Sequence, residues 1–228
     1  MIDSLILKDP ENEKMLTTAA TLYASYADLF VRDPERSKKM ADKAMDYAER
    51  AVCVSDSRAC GLKGRPFEEF ASIVRSMGKS RMPALFALGN AWARWIMVNK
   101  SDFNAIADIA YIETIMQQVV RLDPAYRDGA AHLYLGTLAS LLPPAMGGKP
   151  EQSKEHFEKA LALSEGKNLM ARVLYAKFYA RMIFDRDLHD HLLRKVMEAD
   201  PAVPGYTLIN TWAQKQAAEL LLSADDYF

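Results

Sequence analysis

Proline places the strongest limit on what this chain can fold into. Its fixed φ and missing N–H suit the first turn of a helix and little else within one. Pro10, Pro34, Pro83, Pro124, Pro150 and Pro204 each open a stretch in which apolar residues return at helical spacing. The pattern predicts helices over about 10–31, 34–54, 82–99, 102–122, 125–142, 150–164, 167–184, 187–199 and 204–223. Turn chemistry fills the breaks: Asp33-Pro34, Asp123-Pro124, Gly166-Lys167-Asn168 and Asp200-Pro201. No segment alternates polar and apolar residues with β-branched enrichment, so no strand is predicted.

The helices read as pairs. Leu122-Asp123-Pro124, Leu163-Ser164-Glu165 and Ala199-Asp200-Pro201 end successive second helices at intervals of about 36 to 41 residues, the range of two-helix repeats. First helices carry a bulky-small signature that admits a close partner: Leu22-Tyr23-Ala24, Leu88-Gly89-Asn90, Leu135-Gly136-Thr137 and Tyr175-Ala176-Lys177. Second helices are amphipathic, as at Tyr47, Ala48 and Ala51 or Phe157, Ala160 and Leu161. The expected fold is all-α, a tetratricopeptide-like helix-pair solenoid of about four degenerate repeats plus a C-terminal helix, forming a single domain over 1–228. An insertion at about 55–81, with a short apolar helix around Phe67 to Val74, interrupts the rhythm; a segment that caps a groove is the preferred reading.

Composition removes several classes of function. At 228 residues, the chain is long enough to bury about 70% of its unfolded surface without disulfide or metal. Lys plus Arg number 29 against 30 Asp plus Glu, so there is no excess positive charge for a phosphate backbone and no nucleic acid partner is expected. No apolar run is long enough to span a bilayer, since Pro143-Pro144 and Arg94 interrupt the best stretches. The six residues between Cys53 and Cys60 match no zinc or redox spacing, which favours two unpaired thiols and leaves a disulfide as the alternative for an exported protein. The segment Met1 to Lys8 lacks the features of a secretory leader, as expected of a cytoplasmic protein or of an exported one whose leader has been removed.

Chemistry-bearing motifs are absent. Gly147-Gly148-Lys149 follows a helix and lacks the spacing of a phosphate loop. His189 and His191, beside Asp187, lie two apart on a helix and point away from each other, so a solvated face is expected rather than a metal site. Asn99-Lys100-Ser101 fits a glycosylation sequon by a match common by chance. No catalytic residue, metal or cofactor is predicted, and the chain reads as no enzyme. First helices that are apolar on nearly every side must be covered on both faces. Trp92, Trp95, Tyr134, Tyr175 and Tyr179 are therefore candidate walls of an apolar ligand cavity, with Asn90 and Asn210 as polar points within it.

The block LLPPAMGGKPEQSKEHFEKALAL from Leu141 to Leu163 resembles a segment of the T component of tripartite ATP-independent periplasmic (TRAP) transporters. The similarity continues through Val173-Leu174-Tyr175-Ala176, the Asp185 to Asp187 turn, the Leu193 to Pro201 helix end, and Leu208-Ile209-Asn210-Thr211-Trp212-Ala213 to Asp226-Tyr227-Phe228. Leu16 to Ala51 and Ala87 to Trp95 resemble the early helix pairs of that family, so nearly the whole chain is covered. The resemblance implies a non-enzymatic, tetratricopeptide-like periplasmic protein, lipid-anchored in full-length form, that binds the solute-binding P subunit. It further implies delivery of a small apolar ligand and self-association around a pore, with a homotrimer as the first expectation. Pro143, Pro144, Gly147 and Gly148 would form a rigid turn shaping a mouth or an interface. The alternative is a cytoplasmic scaffold that binds a peptide in its groove, with Arg172, Lys177 and Arg181 as its modest basic cluster.

Overall fold

The computed structural model describes residues 2–228, apart from the side chain of Phe103. Among the described residues, every regular element is helical. Two compact units divide the chain, 1–123 and 124–228.

In the first unit, α1 (Ile2–Lys8) lies on α2 (Glu13–Phe30), which pairs with α3 (Pro34–Ser55) through the short connection 31–33. Local chemistry sets these boundaries. The Asn12 side chain accepts from the Met15 N–H and that of Asp33 from the Arg36 N–H, with Pro34 at the first helical position of α3. Alanines make the seam: Ala19, Ala20, Ala27, Ala41, Ala44, Ala48 and Ala51 have no exposed surface, which lets the two backbones approach closely. Next come α4 (Phe67–Ser76), α5 (Met82–Val98), α6 (Phe103–Ala107) and α7 (Ile109–Leu122). Helix α5 packs on α2, α3 and α7. A Cβ on Gly89 would stand 2.9 Å from Ile115 Cγ2, so glycine permits the α5–α7 contact. Arg94 of α5 clasps the α2–α3 connection: its guanidinium donates to Asp28 Oδ1, the Ala27 carbonyl and Ser37 Oγ.

The second unit contains α8 (Ala130–Ala139), α9 (Pro150–Leu163), α10 (Leu169–Leu174), α11 (Arg186–Glu198), α12 (Thr207–Leu222) and α13 (Ala224–Tyr227). Helix α8 packs on α9, while α10 and α11 pack on α12. Gly136 repeats the device of Gly89, since an added Cβ would press on the Phe157 ring at 3.1 Å. Beside it, the Ser140 and Ser153 hydroxyls lie within hydrogen-bond reach of each other and of the Gly136 carbonyl, so their two protons serve a shared three-centre network that closes the α8–α9 seam. Phe157, Val173, Ala176, Leu193, Val196, Ala213 and Ala217 form the centre of this unit's core.

Several expectations need correction. Pro34 and Pro150 open helices and Pro83 sits in the first turn of α5, but Pro10, Pro124 and Pro204 lie in turns before their helices. Asn12 and Gly129 mark the true starts after Pro10 and Pro124. The segment 102–122 breaks at Asp108, which separates α6 from α7. After α10, residues Tyr175–Ala180 widen into a π-helical turn, a conformation the apolar period alone does not signal. The 55–81 insertion contributes to the core: Phe70, Ala71 and Val74 of α4 are buried, and Gln118 of α7 donates to the Met77 carbonyl at 2.7 Å. Cys53 and Cys60 are joined in a disulfide, because the chain turns back after α3 and brings their Cα atoms to 4.3 Å; the expectation of two unpaired thiols fails. His189 is fully buried against the Phe228 ring and bonds to Asp190, so it is not on a solvated face; His191 is exposed.

Candidate functional site

The aromatic residues singled out in the sequence fall into two groups, one in each unit. In the first unit, Trp92 is fully buried at the junction of α5, α4 and α7. Its ring meets Phe70 edge-on at 5.9 Å and lies 5.3 Å from Tyr111, and its indole N–H donates to Asp108 Oδ2 at 3.0 Å. That acceptor is needed, since a buried indole N–H without a partner is costly. Trp95 lies one turn on and is half-buried. It donates to Asp42 Oδ1 at 2.9 Å and carries the Lys63 ammonium 3.4 Å above its ring. Glu49 of α3 has its carboxyl pushed up by burial, an effect that Lys63 partly offsets. Asn90 is half-buried on α5.

In the second unit, Phe157 of α9 stacks on Tyr175 at 5.1 Å, and Tyr175 lies 5.1 Å from Tyr179 on the π-helical turn. Burial raises the phenol of Tyr175, and Glu158, Tyr179 and Asp185 raise it further; burial followed by Glu151, Glu158 and Asp185 acts the same way on Tyr179. Both therefore stay neutral donors at any ordinary pH. Asn210 is fully buried as a cap: its Oδ1 accepts from the Leu169 N–H at 3.0 Å and its amide donates to the Lys167 carbonyl at 3.0 Å. Tyr134 is half-buried on α8.

Trp92 and Asn210 thus have no exposed surface, and their polar groups are consumed within the fold. Each completes the core of its own unit. Trp95, Tyr134 and Asn90 keep part of their surface. Pro143, Pro144, Gly147 and Gly148 build a tight turn between α8 and α9. Gly147 takes φ 99°, and a Cβ on Gly148 would overlap the Leu142 carbonyl oxygen, so both positions require glycine.

Three clusters were missed in the sequence. Asp3 of α1 accepts from the Tyr23 and Tyr47 hydroxyls and from Lys43; burial would raise its carboxyl, but these donors outweigh it and hold Asp3 at about 2. His132 and His156 share a hydrogen bond between their Nδ1 atoms at 2.8 Å across the α8–α9 seam. Leu22, Tyr26 and Phe30 leave an exposed apolar stripe on α2, and their i, i+4, i+8 spacing was the signal that could have shown it. Among the described residues no group of three or more His, Cys, Asp or Glu is placed to hold a metal ion.

Among the described residues the fold is helical throughout, and its shaped features are two aromatic clusters and a rigid apolar turn. The family model for the TRAP transporter T-component (TAtT) matches residues 1–228, and the chain belongs to that family. Its role is therefore associated with a TRAP transporter. No curated protein sequence matches the chain. Among the described residues no helix is long and apolar enough to cross a membrane.

Proposed function

We propose that this protein acts as a non-enzymatic T-component that binds the solute-binding P subunit of a TRAP transporter and helps pass on a small apolar ligand. The match of the family model to the whole chain carries this reading. The helix hairpins are taken as a tetratricopeptide-like solenoid acting as one domain, with ligand-facing surface at Trp95 and Asn90 backed by Trp92 in unit 1–123, and at Tyr134 backed by Tyr175, Tyr179 and Asn210 in unit 124–228. The Pro143-Pro144 and Gly147-Gly148 turn forms a rigid edge that shapes a mouth. The protein is placed in the periplasm, with lipid anchoring and a homotrimeric state as further parts of the proposal. The Cys53–Cys60 disulfide supports this compartment, since such bonds persist where the surroundings are oxidising. The cytoplasmic scaffold reading loses support for the same reason. It loses more at Arg181, which is engaged by Ser223 and lies over the Tyr227 ring instead of facing a peptide.

Native mass spectrometry or affinity capture with the cognate P subunit tests the proposal. A complex at micromolar concentration is expected, and a Trp95→Ala, Tyr134→Ala variant should form that complex but lose ligand transfer. Failure to form any complex overturns the reading.

A further inference from the structure

The turn after α8 has a property that its role as an edge does not explain. From Leu141 to Gly147 every residue is exposed, and none carries a charge, amide or hydroxyl. Leu141, Leu142 and Met146 are 42%, 47% and 68% exposed. Exposed turns ordinarily use polar side chains and leave backbone donors to water. Here Pro143 and Pro144 have no N–H to satisfy. The N–H groups of Met146 and Gly148 donate to the Pro143 carbonyl at 2.9 and 3.1 Å, that of Gly147 to the Pro144 carbonyl at 3.1 Å, and that of Leu141 to the Leu138 carbonyl at 3.3 Å. The tip therefore presents hydrocarbon over a backbone whose donors are largely paired within the turn. Pairing these donors within the turn lowers, without removing, the desolvation cost of bringing the tip to the edge of an apolar medium.

We propose that the Leu141–Gly147 turn docks this protein on a lipid bilayer surface by inserting Leu141, Leu142 and Met146 into the boundary between headgroups and acyl chains. The surroundings of the tip favour lipid over a protein groove. A protein interface is usually fixed by polar and aromatic anchors within its patch, and this tip has none. Below it, Tyr134 and Leu138 continue the same α8 face at helical spacing, and Lys149 lies exposed at the far end of the turn. A tyrosine and a lysine flanking an aliphatic tip match the order of side chains across a water–hydrocarbon boundary. On α9 Lys154 is paired with Glu158 and Lys159 with Glu155, and Glu151 adds a further negative charge, so the contact depends on apolar insertion and not on anionic lipid. The reading is independent of any transporter subunit and is tested on the isolated chain.

Met146→Trp places a reporter at the most exposed position. With phosphatidylcholine vesicles its emission should shift to the blue and be quenched by lipids brominated along the acyl chain, with little change on adding salt. In the otherwise unchanged protein, Leu142→Glu with Met146→Glu should lower the vesicle-bound fraction at co-sedimentation by about tenfold or more while circular dichroism stays the same. No blue shift with lipid in excess overturns the proposal, and so does binding that survives the double substitution. Loss of self-association or of P-subunit binding in the double variant, without any vesicle binding by the parent protein, assigns the tip to a protein partner and overturns it equally.

Discussion

Single residues decide how closely the helices of each unit approach. Gly89 and Gly136 occupy matching places in the bulky-small signatures, and in both a side chain from the neighbouring helix fills the space a Cβ would need. The His132 and His156 pair lies in the same seam as Gly136 and makes that seam sensitive to acid. His132 is 2% exposed and its Nε2 has no partner, so a second proton on the ring would leave a buried, charged N–H unsatisfied. Burial, then the charges of His156 and Lys159, lower its pKa from 6.5 to about 4, with Glu155 acting weakly in the opposite direction. Between those values the unfolded chain binds more protons than the folded one. Stability is thus full above pH 6.5 and is lost as the pH falls towards 4, by at most about 3 kcal/mol from this residue. Urea unfolding at several pH values checks it: His132→Gln should flatten the profile across that window, and an unchanged slope would assign the acid sensitivity to other groups.

At the scale of elements, the Cys53–Cys60 disulfide ties the end of α3 to the start of the 55–81 segment. Next to it, Asp56 receives Arg58 and Arg81, whose guanidinium also donates to the Ser55 carbonyl, and Leu62 is fully buried. Arg58 lowers the Asp56 carboxyl to about 2 against the effect of burial. Closing so short a loop contributes about 2–3 kcal/mol. Thiol titration of the denatured chain should find no free thiol before reduction and two after it, and Cys53→Ser with Cys60→Ser should lower the urea midpoint accordingly; two thiols without reductant would refute the bond. The helices themselves were legible in the sequence wherever a cap or a proline coincided with the apolar period, as at Asp33-Pro34 and Pro150. Pro10, Pro124 and Pro204 misled because proline suits the turn before a helix as well as its first residue. The disulfide was not legible because residue spacing does not reveal whether the chain reverses between two cysteines. The π-helical turn at Tyr175–Ala180 was hidden for a related reason, since no residue type marks where a helix takes up one extra residue.

Over the whole molecule, the family was legible in the Gly-Gly block and the terminal helix, and the family model covers both units. The site was legible only as residue types. Trp92 and Asn210 were marked as candidate ligand-site residues, but an aromatic or an asparagine on an apolar helix reads the same in sequence whether it faces a ligand or completes a core. Burial also bears on how the units fold. Unit 1–123 has its own centre around Leu16, Leu85, Trp92, Ile112 and Met116, and unit 124–228 has one around Phe157, Val173, Leu193 and Ala217. Each exceeds about 100 residues, a size at which one core suffices for independent folding. Expressed separately, each unit should show a helical circular dichroism spectrum and a cooperative thermal transition. The first should also require its disulfide for full stability, whereas the second, which contains neither cysteine, should be indifferent to reductant. A unit that is helical yet melts without cooperativity would show that its core is incomplete by itself, and the 1–228 chain would then be the smallest folding unit of this T-component.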